Sequence, residues 1–157
     1  MPYVETSISI RGDADAIYEL AKKMEEFPKY MPDVQEVKVV ERTENRTVTD
    51  WSCSVEGTSF MWREEELFDD GARRIAYRLI EGDLDKFEGE WNFTPSEDGT
   101  RVVLGVDFDF GIPNLAELIG PTLELKVREN SEMMLGAMKR HFEGPPRERA
   151  APPEVKT

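Results

Sequence analysis

Between residues 34 and 111 the chain alternates apolar and polar side chains through six successive segments, and this alternation limits the fold more than any other feature. The segments lie at about 35–42, 47–55, 59–68, 73–81, 86–94 and 101–110. Period two marks strands with one buried face. The breaks are Glu44-Asn45, Glu56-Gly57, Asp69-Asp70-Gly71, Glu81-Gly82-Asp83 and Pro95-Ser96-Glu97-Asp98-Gly99, all rich in turn-forming residues. An antiparallel meander is the expected result. Its inner face should carry Trp51, Cys53 and Val55, then Ile75, Tyr77 and Leu79, then Phe87, Gly89, Trp91 and Phe93, and finally Val102, Leu104, Val106, Phe108 and Phe110. Segment 59–68 is unusual: its inner face holds Phe60, Trp62 and Phe68 together with Glu64 and Glu66.

Other elements flank the meander. Residues 3–10 alternate as a further strand, and Asp13 is placed to cap a helix running to about Met24. The Phe27-Pro28-Lys29-Tyr30-Met31-Pro32 run permits only a short helical turn. Near the other end, residues 121–142 form a helix of roughly 33 Å, with an apolar stripe of Leu123, Val127, Met134, Met138 and Phe142. Asn130 and Ser131 interrupt the stripe. They should face solvent or a space that holds something polar. Asn114 with Glu117 reads as a capping box, Gly120-Pro121 as a kink or restart, and Gly144 as the helix stop. The expectation is therefore an α+β fold, a seven-stranded antiparallel curved sheet with two short helices and one long C-terminal helix. One domain spans 1–144, and 145–157 is expected to be a disordered tail.

Composition narrows the function. With 33 acidic against 20 basic residues and a net charge of −13, the chain repels phosphate backbones and anionic membranes, so no nucleic-acid partner is expected. No apolar run approaches the ~20 residues of a membrane span, so no stable membrane insertion is expected. One cysteine and no signal-like segment suit the cytoplasm. One His and one Cys support no metal site, and no P-loop or dinucleotide fingerprint points to a cofactor.

Glu64 and Glu66 could form a general acid/base pair, orient a ligand, or be plain solvated or hydrogen-bonded carboxylates. Trp51, Trp62, Tyr77, Phe87 and Trp91 could stack on a flat ligand or fill the core. Met31, Met134 and Met138 suit an adaptable wall or core packing. His141, in the last turn with Lys139 and Arg140, reads as a surface or helix-end residue, and Cys53 as a small buried hydrophobe.

Three runs carry a resemblance. Phe27-Pro28-Lys29-Tyr30-Met31-Pro32-Asp33-Val34, the stretch from Glu81-Gly82-Asp83 through Trp91-Asn92-Phe93, and Gly99-Thr100-Arg101-Val102-Val103-Leu104 resemble the helix-grip, START-like (Bet v1-like) superfamily. Within it the chain looks like the polyketide cyclase/dehydrase and coenzyme Q-binding branch. The resemblance implies a cavity for a hydrophobic small molecule, closed by the C-terminal helix. It implies pocket positions at Phe27, Met31, Trp62, Leu79, Phe87, Trp91, Leu104 and Asn130. Arginines that aromatase/cyclases of this family carry align with Glu66 and Leu79, which removes cations suited to an enolate. The chain is therefore expected to bind a lipid, quinone or polyketide-like molecule, as monomer or dimer, rather than to catalyse. A polyketide cyclase/dehydrase using Glu64 or Glu66 is the alternative.

Overall fold

Strand pairing in the computed structural model follows the meander. It describes residues 3–55, 58–109 and 113–144, with only the backbone of Val55, Thr58 and 113–123. The strands are β1 (Tyr3–Ile10), β2 (Val34–Arg42), β3 (Arg46–Val55), β4 (Thr58–Asp69), β5 (Arg74–Gly82), β6 (Lys86–Ser96) and β7 (Gly99–Asp109). They form one antiparallel sheet in the order β1-β7-β6-β5-β4-β3-β2, so only the long-range pairing of β1 with β7 departs from neighbour-to-neighbour hairpins.

The helices cover the inner face. Helix α1 (Ala14–Lys22) begins at Asp13, whose Oδ2 accepts from the Ala16 amide at 3.1 Å, and packs on β6 and β7. A 3-10 turn at Met24–Lys29 follows, with Pro28 inside it, and packs on β2. Helix α2 (Pro113–Glu143) lies along β1 and β7. Its last turns are pinned: Lys139 Nζ donates to the Ser9 carbonyl at 2.8 Å, and Glu143 accepts from the Arg11 amide at 2.6 Å. Phe142 closes on Gly12, where a Cβ would fall 2.1 Å from the ring, so only glycine admits this approach.

Two expectations are corrected. α2 does not restart at Gly120-Pro121 but continues through it, because a proline withdraws one N–H from the ladder while the flanking turns keep theirs. Asn114 lies inside the helix, one residue past its first position, and so is not its cap. The expected Glu56-Gly57 turn, the inward placement of Phe110 and the disordered tail at 145–157 fall outside the described residues.

The core forms where inward faces meet. Tyr18, Phe27, Phe93, Phe108, Ile10, Ile17, Ile75, Leu135 and Met138 are buried there. Among the described residues no helix is long and apolar enough to cross a membrane.

Candidate functional site

Glu64 and Glu66 sit mid-strand on β4, and their neighbours follow from register. Toward β3 they face Thr49 and Thr47, and toward β5 they face Leu79 and Tyr77. One step along, Trp62 faces Trp51, and the two rings stack with centroids 5.7 Å apart and planes within 10°. The β4–β5 register shifts between Arg63 and Glu64, a bulge that leaves Gly82 beside Trp62. A Cβ on Gly82 would come within 2.4 Å of the Trp62 backbone, and its φ of 148° favours glycine.

The two indoles fix the direction of the hydrogen bonds, because an indole N–H can only donate. Trp51 Nε1 donates to Thr49 Oγ1 at 2.7 Å, so the Thr49 hydroxyl proton is free for Glu66 Oε2 at 2.6 Å. Thr47 Oγ1 donates to Glu66 Oε1 at 2.7 Å. On the other side Trp62 Nε1 donates to Glu64 Oε1 at 2.7 Å, and Glu64 also bonds to Glu66. Glu66 thus accepts from both threonines, one at each carboxyl oxygen. Glu64 is 3% exposed and Glu66 0%. Burial, then the bond to Glu66 and its charge, hold Glu64 well above the usual carboxyl range, with Trp62 only partly opposing.

No cation on the inner face of β3 to β7 answers this pair among the described residues. Arg63 and Arg78 lie on the outer face, bonded to Asp50 and Glu65. Arg42 shares the inner side by register with Thr47, but at the sheet edge it reaches out to Glu25 at 3.0 Å.

Tyr77 closes the row beyond Glu66. Its hydroxyl crosses Gly89 to donate to the Gly105 carbonyl at 2.7 Å. A Cβ on Gly89 would lie 2.0 Å from that same oxygen, so the crossing needs glycine. Burial above all raises the Tyr77 phenol. Cys53 is pushed up to about 12 by burial and by Glu64, which keeps it an inert thiol.

The residues singled out in the sequence divide into two groups. Phe27, Met31, Trp51, Trp62, Trp91 and Leu104 are buried, with Phe27 in ring contact with Trp51 and Trp91. Leu79, Phe87 and Met134 point inward yet keep intermediate exposure, as do Phe60 and Val127. Phe87 joins the groups, 5.1 Å from the Trp62 ring and 5.6 Å from Tyr77. Asn130 is half-buried, and its Nδ2 donates to Asp33 Oδ2 at 3.0 Å, giving the polar break in the helix stripe an internal partner. His141 is exposed but stacks on Tyr30 with centroids 4.0 Å apart. Thr47 and Thr49 were not singled out, although alternation from Trp51 places both on the inner face.

A separate depression of about 360 Å³ lies on the outer face of the sheet, bounded by Tyr3, Glu5, Glu88, Glu90, Val103 and Asp107 among others. Tyr3 lies over Gly105 there. It shares no acid or aromatic residue with the inner cluster.

The polyketide cyclase/dehydrase and lipid transport model matches residues 10–135. Among relatives, the persistence and stress-resistance toxin PasT of Escherichia coli O6:H1 is 24% identical over 70% of this chain and 70% of its own. The actinorhodin polyketide synthase bifunctional cyclase/dehydratase of Streptomyces coelicolor is 28% identical over 72% of this chain and 38% of its own. Of solved structures, a protein of Thermus thermophilus superposes with a TM-score of 0.87 at 32% identity, covering 90% of this chain and 97% of that one. A START superfamily protein of Mycobacterium smegmatis gives 0.79 at 17% identity, over 91% and 98%, which places the seven-stranded sheet and long helix among helix-grip folds. On the family match, this chain belongs to the polyketide cyclase/dehydrase and lipid transport family.

Proposed function

We propose that the chain binds a hydrophobic small molecule, a lipid, quinone or polyketide-like compound, between the curved sheet and α2. The observation that carries this reading is the partial exposure of inward-facing apolar side chains. Phe60, Leu79, Phe87 and Met134 pack against the core on its inner side yet are only partly buried, unlike side chains in a close-packed core. In this reading Trp62 backs the ligand, and Glu64, Glu66 and Asn130 orient its polar end. The unit responsible is 1–144, and the single buried thiol suits a reducing compartment such as the cytoplasm.

The test is direct. An organic extract of purified protein, and titration with flat apolar ligands, should reveal binding that Trp62→Ala or Asn130→Leu alters. Binding untouched by both changes would remove the site from this face.

A second reading, a polyketide cyclase/dehydrase, is favoured by one observation: Glu64 lies buried against the Trp62 indole, where burial pushes its carboxyl well above the ordinary range, as suits a general acid. The similarity to the actinorhodin cyclase/dehydratase agrees with it. Against it, both carboxyls are already engaged by internal donors, and the family's arginine positions hold Glu66 and Leu79. Turnover of a polyketide-like substrate that Glu66→Gln abolishes would establish it. A net charge of −13 opposes any nucleic-acid surface.

A further inference from the structure

The acid pair is more than a packing detail, because two carboxyls lie buried side by side and, among the described residues, no cation on the inner face of β3 to β7 balances them. The hydrogen bonds of Glu66 come from Thr47 and Thr49, neither of which carries positive charge. The guanidinium groups of Arg63 and Arg78 are on the far side of the sheet. Leu79, one of the partly buried inward side chains, is the direct cross-strand neighbour of Glu64, and such neighbours lie about 5 Å apart. A group brought against Leu79 is therefore close to the buried acid pair, where Coulomb terms exceed their value in solvent.

We infer that this interior selects its ligand by charge: it admits apolar molecules whose inward polar group is an uncharged ketone, quinone or hydroxyl, and rejects carboxylates such as fatty acids. The inference rests on the ligand-binding reading above and adds the class of guest. Glu66 is the specificity-determining residue, with Thr47, Thr49 and Glu64 holding its charge in place.

Two nearly isosteric flat probes separate the possibilities, 2-acetylnaphthalene and 2-naphthoate, titrated calorimetrically into the full chain at pH 8 in about 0.5 M salt. At that ionic strength the Debye length is only about 4 Å, so the acidic surface is screened while a buried charge is not. The ketone should bind at least tenfold more tightly than the carboxylate, and the double variant Glu64→Gln/Glu66→Gln should bring the two within about threefold. Equal binding of both probes by the unaltered protein overturns the charge selection while leaving the binding reading intact. Discrimination that is present at low salt and vanishes at high salt assigns it to the surface and overturns it too. If the double variant binds and still discriminates tenfold, the acid pair is not its source. If it does not fold, the salt-resistant ratio in the unaltered protein decides alone. Failure of the ketone and the carboxylate alike sinks the binding reading itself, and the inference with it.

Discussion

Replacing Thr49 by valine is the sharpest test of the acid network, because the side chain keeps its shape and loses one hydroxyl. That hydroxyl serves twice. It donates to Glu66 Oε2 and accepts from Trp51 Nε1, both in the buried interior. A hydrogen bond to a charged group contributes about 1.5–3 kcal/mol, and leaving the buried indole N–H without an acceptor costs about another 1–3 kcal/mol. Thr49→Val should therefore cost about 2.5–6 kcal/mol. Thr47→Val, which removes only the bond to Glu66 Oε1, should cost about 1.5–3 kcal/mol. For a chain of this size each kcal/mol moves the midpoint by about 2–4 °C, so the expected drops are about 5–24 °C and about 3–12 °C. Urea unfolding followed by tryptophan fluorescence measures both, with thermal melts as a check. If Thr49→Val costs no more than Thr47→Val, or less than about 1 kcal/mol, the chain of donors from Trp51 through Thr49 to Glu66 is wrong.

Two further outcomes follow from the same geometry. Glu64 holds its proton in the fold at pH values where the unfolded chain releases it. Its contribution to stability is thus fully present below the ordinary carboxyl pKa and lost as pH rises through the raised folded value. Unfolding midpoints measured from pH 5 to 9 should show Glu64→Gln gaining on the unaltered protein as pH increases, and parallel curves would mean that Glu64 is ionised. Gly89→Ala should destabilise by at least about 2 kcal/mol, since the added methyl meets the Gly105 carbonyl oxygen and displaces the Tyr77 hydroxyl. A neutral effect in the same urea assay would show that the strands there can separate.

Much of this was legible in the sequence because period two leaves little freedom once one face is buried. Alternation alone put Trp62, Glu64 and Glu66 on one side of β4, and the pairing agrees. It also put Arg63 and Arg78 on the other side, where they meet Asp50 and Glu65. What alternation does not carry is the partner across the strand. Nothing local to Thr47 or Thr49 announces that their hydroxyls meet a glutamate about seventeen residues later; that depends on the β3–β4 register. Asn130 shows the same limit, its partner Asp33 being 97 residues away. Helix α2 erred in the opposite direction, because a local rule about proline was overruled by the continuity of a long helix.

Everything proposed for the ligand requires it to sit on the inner face, against the side chains that the helix and sheet leave uncovered. Isotope-filtered NMR with 2-acetylnaphthalene bound to the labelled protein locates it. Contacts are expected from the naphthalene ring to Phe60, Leu79, Phe87 and the Met134 methyl, with a shift of the Trp62 indole N–H. Contacts to Tyr3 and Val103 in the outer depression instead, with the inner side chains unmoved, would contradict that placement.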